Sequence, residues 1–225
     1  MSKVEIIPAI LPYTFAELSE KVELIKGFAK RIQVDVCDGQ FVPNATWPYR
    51  KRDDTFERII KEDEGMPGWE SIDYEFDLMV NRPAEVVDEW VKAGAARIII
   101  HAEAKGDIAE ALVKLAGVVE IGLALNIDTP LDIVELHQER LNFIQLMGID
   151  RIGFQHQAFD EKVLNKIREV KAKFPDMIVS IDGGVSLETA PKLIEAGADR
   201  LVVGSAIFNA ENPIDAIQQF KSIAK

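Results

Sequence analysis

The stretch MIVSIDGGVSLETAPKLIEAGADRLVV, residues 177–203, decides the fold. Met177–Ile181 is a short apolar run rich in β-branched residues, the signature of a strand buried on both faces. Asp182-Gly183-Gly184 then breaks it with turn chemistry. Leu187–Ala196 carries apolar positions at helical spacing, and Gly197 sits where that helix should stop. Arg200–Val203 is a second apolar run. A strand, a helix and a strand in so few residues form a crossover unit, which places the two strands parallel.

Outward from this unit the same alternation fills the chain. Strands are expected at Val4–Ile10, Arg31–Cys37, Ile72–Met79, Ala96–His101, Val119–Leu125, Asn142–Met147, Met177–Ile181 and Arg200–Val203. Helices are expected at Phe15–Ala29, Thr55–Lys61, Pro83–Ala93, Ile108–Leu115, Leu131–Gln138, Asp160–Lys173, Leu187–Ala196 and Pro213–Ala224. Local signals agree: Thr14 with Glu17 resembles a capping box, Pro83 and Pro213 suit a first helical turn, and Gly27 and Gly94 suit helix ends. Eight units in 225 residues give about 28 residues each, near the compact end of the (β/α)8 range. The expectation is an α/β fold, a single (β/α)8 TIM barrel domain over residues 1–225, with an open doubly wound sheet as the rival.

Composition narrows the function classes. Lys and Arg total 26 against 38 Asp and Glu, a formal net charge of -12, which argues against a nucleic-acid or anionic-membrane partner. No apolar stretch approaches the roughly 18 residues that a membrane span needs, and the N-terminus lacks a signal-peptide layout. The single Cys37 cannot form an intramolecular disulfide, so a reduced, cytoplasmic setting is the expectation. Two segments are longer than a barrel unit requires. One is 47–70, with the charge run from Tyr49 to Asp54, read as a solvated insertion; the other is 148–159, after the sixth strand.

In a barrel, chemistry collects where strands end. Gln33, Asp35 and Cys37 share one face of the second strand, because alternate residues point the same way. Glu75 and Asp77 do the same on the third. His101 ends the fourth strand, Asn126 follows the fifth, Met147 ends the sixth and Asp182 follows the seventh. The second and seventh strands lie roughly across a closed barrel from each other, so Asp35 and Asp182 suit removal of a proton from one face of a carbon and its return to the other. Asp38 reads instead as a turn residue. His101, Met79 and Met147 are consistent with either packing or substrate contact. Gly183-Gly184 and Gly204-Ser205, at the ends of the last two strands, offer backbone N–H groups for a phosphate; the alternative is two tight strand-to-helix turns.

With those positions in hand, the chain resembles the ribulose-phosphate 3-epimerase family over nearly its whole length. The resemblance rests on Ile7-Pro8-Ala9-Ile10-Leu11, Asp35-Val36-Cys37-Asp38-Gly39-Gln40-Phe41-Val42-Pro43-Asn44, Leu78-Met79-Val80 and His101-Ala102-Glu103-Ala104. It continues through Leu125-Asn126, Thr129-Pro130-Leu131, Leu146-Met147, Asp182-Gly183-Gly184-Val185 and Gly204-Ser205-Ala206-Ile207-Phe208. It implies a barrel that inverts a pentulose phosphate at C3, with Asp35 and Asp182 as the acid/base pair. It also implies that Gly153, Gly183, Gly184, Gly204, Ser205, Asn126, His101, Met79 and Met147 contact substrate or phosphate. The loop after the sixth strand reads Gly153-Phe154-Gln155-His156-Gln157, without the family's glycine pair.

The family's metal site uses two His with the two catalytic Asp, and here the two His positions carry Gln33 and Asp77. Gln33, Asp35, Asp77 and Asp182 then form a candidate all-oxygen set suited to Mg²⁺ or Mn²⁺. The alternative is no cofactor, in which case a carboxyl takes up a proton and Arg50, Lys51, Arg52 or Arg151 supplies positive charge. The expected partner is a small phosphorylated sugar, and the expected assembly a homo-oligomer. Two rivals to the epimerase are a non-catalytic phosphosugar-binding homologue and a related barrel lyase. Such lyases carry an Asp-x-Lys-x-x-Asp motif on the third strand, which Glu75-Phe76-Asp77-Leu78-Met79 lacks.

Overall fold

The computed structural model describes residues 4–51, 54–154 and 157–224. Eight parallel strands follow one another in sequence order and close on themselves: β1 (Glu5–Ile10), β2 (Arg31–Cys37), β3 (Asp73–Met79), β4 (Ala95–His101), β5 (Glu120–Leu125), β6 (Phe143–Met147), β7 (Ile178–Asp182) and β8 (Arg200–Val203). Pairing of Glu5 with Arg200 and of Pro8 with Val203 seals β1 against β8. The rival open sheet is thereby excluded. Helices α1 (Phe15–Ile25), α2 (Thr55–Ile60), α3 (Pro83–Lys92), α4 (Ile108–Leu115), α5 (Asp132–His137), α6 (Lys162–Lys173), α7 (Ala190–Ala196), α8 (Ser205–Phe208) and α9 (Pro213–Ile223) surround it. Among the described residues no helix is long and apolar enough to cross a membrane.

Several boundaries differ from expectation for local reasons. The α1 helix ends at Ile25 rather than Ala29, because Lys26 is already extended and Gly27 turns left-handed at φ 83. Its start is as expected: Thr14 Oγ1 accepts from Glu17 N, and Glu17 Oε2 accepts from Tyr13 N. The α7 helix starts at Ala190 rather than Leu187, since Ser186 and Thr189 bond each other's backbone N–H groups in a preceding turn. The α6 helix starts at Lys162, whose N–H donates to Asp160 Oδ1.

Outward-facing strand residues such as Val34, Val36, Phe76, Leu78, Ile98 and Ile100 are fully buried against the helices, alongside Leu18, Val22, Val87 and Leu112. Each such side chain contributes about 2 kcal/mol by leaving water. The charge run in 47–70 is exposed at each of its described residues, Tyr49, Arg50, Lys51 and Asp54, as a solvated run should be, whereas the segment around it packs on the barrel. Trp47 is fully buried and packs on Phe15, Phe56 and Trp90, with ring centroids 5.2, 5.6 and 6.2 Å away. In its charge run, Arg50 lies 4.1 Å from the Tyr13 ring and Lys51 is exposed, while Arg52 and Asp53 lie outside the described residues.

Inside the barrel, side chains fall into layers. At the strand N-terminal end, Arg97 pairs with Glu5, Glu75 and Glu120, and Arg200 pairs with Glu5. Glu75 therefore belongs to this structural ion layer and not with Asp77 among the strand-end carboxylates. Above lie Ile7, Ala9 and Val202 on one side and Ile99, Ala124 and Phe143 on the other. Gly122 makes room for this layer: a Cβ there would sit 2.5 Å from Phe143 Cζ. The C-terminal end is polar.

Candidate active site

That polar end is built from strand alternation. Gln33 and Asp35 from β2, Asp77 from β3, His101 from β4, Gln145 from β6, and Ser180 and Asp182 from β7 converge on one another. Register places Asp35 level with Asp77. Carboxylate oxygens of Asp35, Asp77 and Asp182 all lie within 4.8 Å of one another. The Gln33 amide joins two of them: Nε2 donates to Asp35 Oδ1 at 2.8 Å and to Asp182 Oδ2 at 2.8 Å. Asp77 Oδ1 faces His101 Nε2 at 3.0 Å, while its Oδ2 accepts from Gln145 Nε2 at 3.5 Å. The Ser180 hydroxyl donates to Gln145 Oε1 at 3.3 Å.

Packing three carboxylates together out of water has an electrostatic consequence. Burial first, and then the Asp182 and Asp77 charges, hold the Asp35 carboxyl well above the usual range. Burial and Asp77 push Asp182 up to about 7. Burial opposes a charged His101, but the Asp77 carboxylate beside it outweighs that and raises its pKa. His101 is thus the group in the cluster, among the described residues, that can carry positive charge. Of the positions expected to provide it, Arg50 is stacked on Tyr13, Lys51 and Arg151 are exposed, and Arg52 is outside the described residues.

A cleft opens above the cluster. Among the expected site residues, Asp35, Asp182, Met79, Met147, Gly153, Gly183, Gly184, Gly204 and Ser205 line it. Gly183 and Gly184 are left-handed at φ 93 and 69, and a Cβ on either would press within 3 Å of Ile149 or Phe159. His101 is not in the lining; it lies fully buried beside Asp77, with the Phe41 ring 5.2 Å away. Asn126 is not in the lining either. Its backbone N–H donates to Glu103 Oε1 and its carbonyl accepts from Lys166 Nζ. Asp38 is a turn residue: Oδ1 accepts from Gln40 and Phe41 N–H, and Oδ2 from Asn81 N–H.

Sequence reasoning missed Gln145 and Ser180, although each stands two residues before a residue it singled out, Met147 and Asp182, on the same strand face. It also missed Ile149, Phe154 and Gln157, which line the cleft from the loop after β6. Gln155 and His156 of that loop lie outside the described residues. The loop that follows the Asp35 strand is tied to this loop through Asn44 Nδ2, which donates to Gly153 O. Cys37 is fully buried, and burial raises its thiol pKa.

The donor set is compatible with a divalent cation. Three hard carboxylate oxygens are clustered, and Gln33 Oε1 is buried without a hydrogen-bond partner. Such oxygens suit Mg²⁺ or Mn²⁺.

Comparison with known proteins gives a consistent result. The family model "Ribulose-phosphate 3 epimerase family" matches residues 5–208. Ribulose-phosphate 3-epimerase of Bacillus subtilis (strain 168) is 34% identical over 226 residues, covering 97% of this chain and 98% of that protein. Its counterpart in Schizosaccharomyces pombe is 30% identical over 226 residues, covering 99% and 94%. Among solved structures, KGPDC from Streptococcus mutans aligns with a TM-score of 0.70 at 14% identity, covering 99% of this chain and 98% of that one. The 3-hexulose-6-phosphate synthase of Salmonella typhimurium aligns with a TM-score of 0.68 at 14% identity, covering 98% of both. At those identities the structural likeness concerns the fold.

Proposed function

The chain belongs to the ribulose-phosphate 3-epimerase family, and from that premise we propose that it epimerises a pentulose phosphate at C3, with Asp35 and Asp182 as the acid/base pair. One observation carries the reading: the two carboxyls line one cleft and accept from the two N–H bonds of a single amide. Their raised pKa values favour one ionised and one protonated carboxyl near neutral pH. The ionised carboxylate takes the C3 proton, and the C–H electron pair moves into the neighbouring carbonyl to form an enediolate. The protonated carboxyl then delivers a proton to the opposite face of C3. Configuration inverts, and the two carboxyls exchange protonation states.

Without a cation, Gln33 Nε2 braces both carboxyls; with one bound, its Oε1 would join Asp35, Asp77 and Asp182 instead. His101 keeps positive charge beside Asp77, which limits the repulsion among the three acids. Backbone amides at Gly183, Gly184, Gly204 and Ser205, with Gly153 across the cleft, are the proposed phosphate contacts, and Met79 and Met147 the apolar walls. Asp35, Asp77, Asp182 and Gln33 Oε1 would hold a divalent cation, Mg²⁺ or Mn²⁺ by donor chemistry. Such an ion would stabilise the enediolate oxygen's charge. The reading includes a cytoplasmic, homo-oligomeric enzyme; the lone buried Cys37 and the exposed apolar Leu24 and Trp69 are in keeping with it.

A coupled pentulose-phosphate epimerase assay tests the reading. Wild type should turn over, and Asp35→Asn and Asp182→Asn should each lower kcat by about 10³-fold, the range for loss of a general acid or base. Ribulose-phosphate binding without turnover, with Mg²⁺ or Mn²⁺ present, would replace it with the binding-homologue reading.

A further inference from the structure

We propose that Gln33 is a two-position latch on the carboxylate cluster: nitrogen inward, it braces Asp35 to Asp182; oxygen inward, it completes a divalent-cation site. The inference deepens the reading of Asp35, Asp77 and Asp182 as cation ligands and rests on it.

The first position is the one observed. Both N–H bonds of the amide are used, one on each carboxylate, at 2.8 Å. Donors to charged oxygens make short, strong bonds away from water. In this position the amide nitrogen bonds two of the oxygens that a cation would need. A cation and the inward nitrogen therefore compete for Asp35 and Asp182.

What the first position leaves unmet points to the second. Gln33 is fully buried, yet its Oε1 has no hydrogen-bond partner. Glu75 Oε1 is also buried without a partner, although Glu75 Oε2 pairs with Arg97 Nη1 at 3.1 Å. The two residues are register partners on β2 and β3 and share the inward face. A buried acceptor without a donor is costly. A half-turn of the Gln33 amide exchanges its oxygen and nitrogen. It moves a donor to the side where Oε1 was orphaned and turns Oε1 toward the carboxylates; the unpartnered Glu75 Oε1, on its register partner, is the acceptor we assign to that donor.

Without a cation that second position gives up both N–H bonds to the carboxyls and sets an amide oxygen against the ionised one, so it is the less favourable of the two. With a cation among them, the same oxygen becomes a fourth hard ligand. Occupancy therefore selects orientation. A residue whose ligand atom always faces the cluster has no such preference for the empty state, so Gln33 weakens cation binding and makes it reversible.

The test uses the intact protein, stripped of metal and without sugar, so its outcome is independent of turnover. Glutamine side chains are labelled with ¹⁵N, and the Gln33 NH₂ signal is assigned by its loss in Gln33→His. Nuclear Overhauser contacts from these NH₂ protons to the Asp35 and Asp182 methylene protons should be present without metal and lost as Mg²⁺ saturates. In parallel, Gln33→Glu, which presents oxygen in either orientation, should bind Mn²⁺ on the order of tenfold tighter by calorimetry. Mg²⁺ saturation with those contacts retained would overturn the proposal. So would Gln33→Glu binding no tighter than wild type, or no binding of Mg²⁺ or Mn²⁺ by wild type at millimolar concentration. Should Gln33→Glu not fold, the wild-type titration alone decides.

Discussion

Asp182 carries the residue-scale consequences. Its folded pKa is about 7 against an ordinary 3.8, raised by burial and by Asp77. A raised carboxyl keeps its proton in the folded chain after the unfolded chain has released it. Its contribution to stability is therefore complete below the unfolded value, declines as pH rises from about 4 to 7, and is level above that. His101, also raised, acts in the same direction as pH climbs through its folded value. In metal-free protein, the difference in Tm between wild type and Asp182→Asn should therefore shift against wild type between pH 5 and pH 8. Thermal melts across that range measure it, and saturating Mg²⁺ or Mn²⁺ should reduce the shift. Asp35 and Asp182 were legible as cleft-lining candidates because Asp35 shares the inward face near the end of β2, Asp182 ends β7, and each opens a motif. The role of Gln33 as a donor was not, because side-chain type and strand face do not determine which end of an amide points inward.

At the scale of elements, the barrel depends on contacts between units that no single unit announces. Lys166 of α6 is the clearest: its Nζ donates to the carbonyls of Asn126, Ile127 and Thr129 in the loop after β5. Lys166→Met would leave three acceptors without a donor and should destabilise the fold by about 3 kcal/mol in denaturant unfolding. Gly122 couples β5 to β6 through space. Gly122→Val, with its Cβ pressed into the Phe143 ring, should cost about 1–3 kcal/mol as an overpacked core. Strand positions were legible almost to the residue, since strands buried on both faces read as continuous apolar runs; β2 and β8 match expectation at both ends. The starts of α6 and α7 were less so. Leu187 and Asp160 continue the apolar or polar pattern of the following helix, but hydrogen bonding by Ser186, Thr189 and Asp160 forms turns that delay it. Lys166 gave no sequence signal, because a lysine on a helix reads as solvent-facing until the loop above it is placed.

For the whole molecule, two charged layers divide the barrel. At the strand N-terminal end, Arg31, Arg97 and Arg200 pair with Glu5, Asp73, Glu75 and Glu120, so three cations offset most of the charge of four carboxylates. At the other end, Asp35, Asp77 and Asp182 are opposed by His101 alone among the described residues that hydrogen-bond to them as potential cations. The net charge of -12 thus has a local counterpart where proton transfer is proposed. The most direct test is exchange of the C3 hydrogen of ribulose 5-phosphate with solvent deuterium, followed by NMR for wild type, Asp35→Asn and Asp182→Asn. Wild type should incorporate deuterium at C3 in both epimers, and each variant should lose epimerisation by about 10³-fold. Epimerisation at wild-type rate in either variant, or turnover by wild type without deuterium at C3, would contradict the two-carboxyl proton transfer.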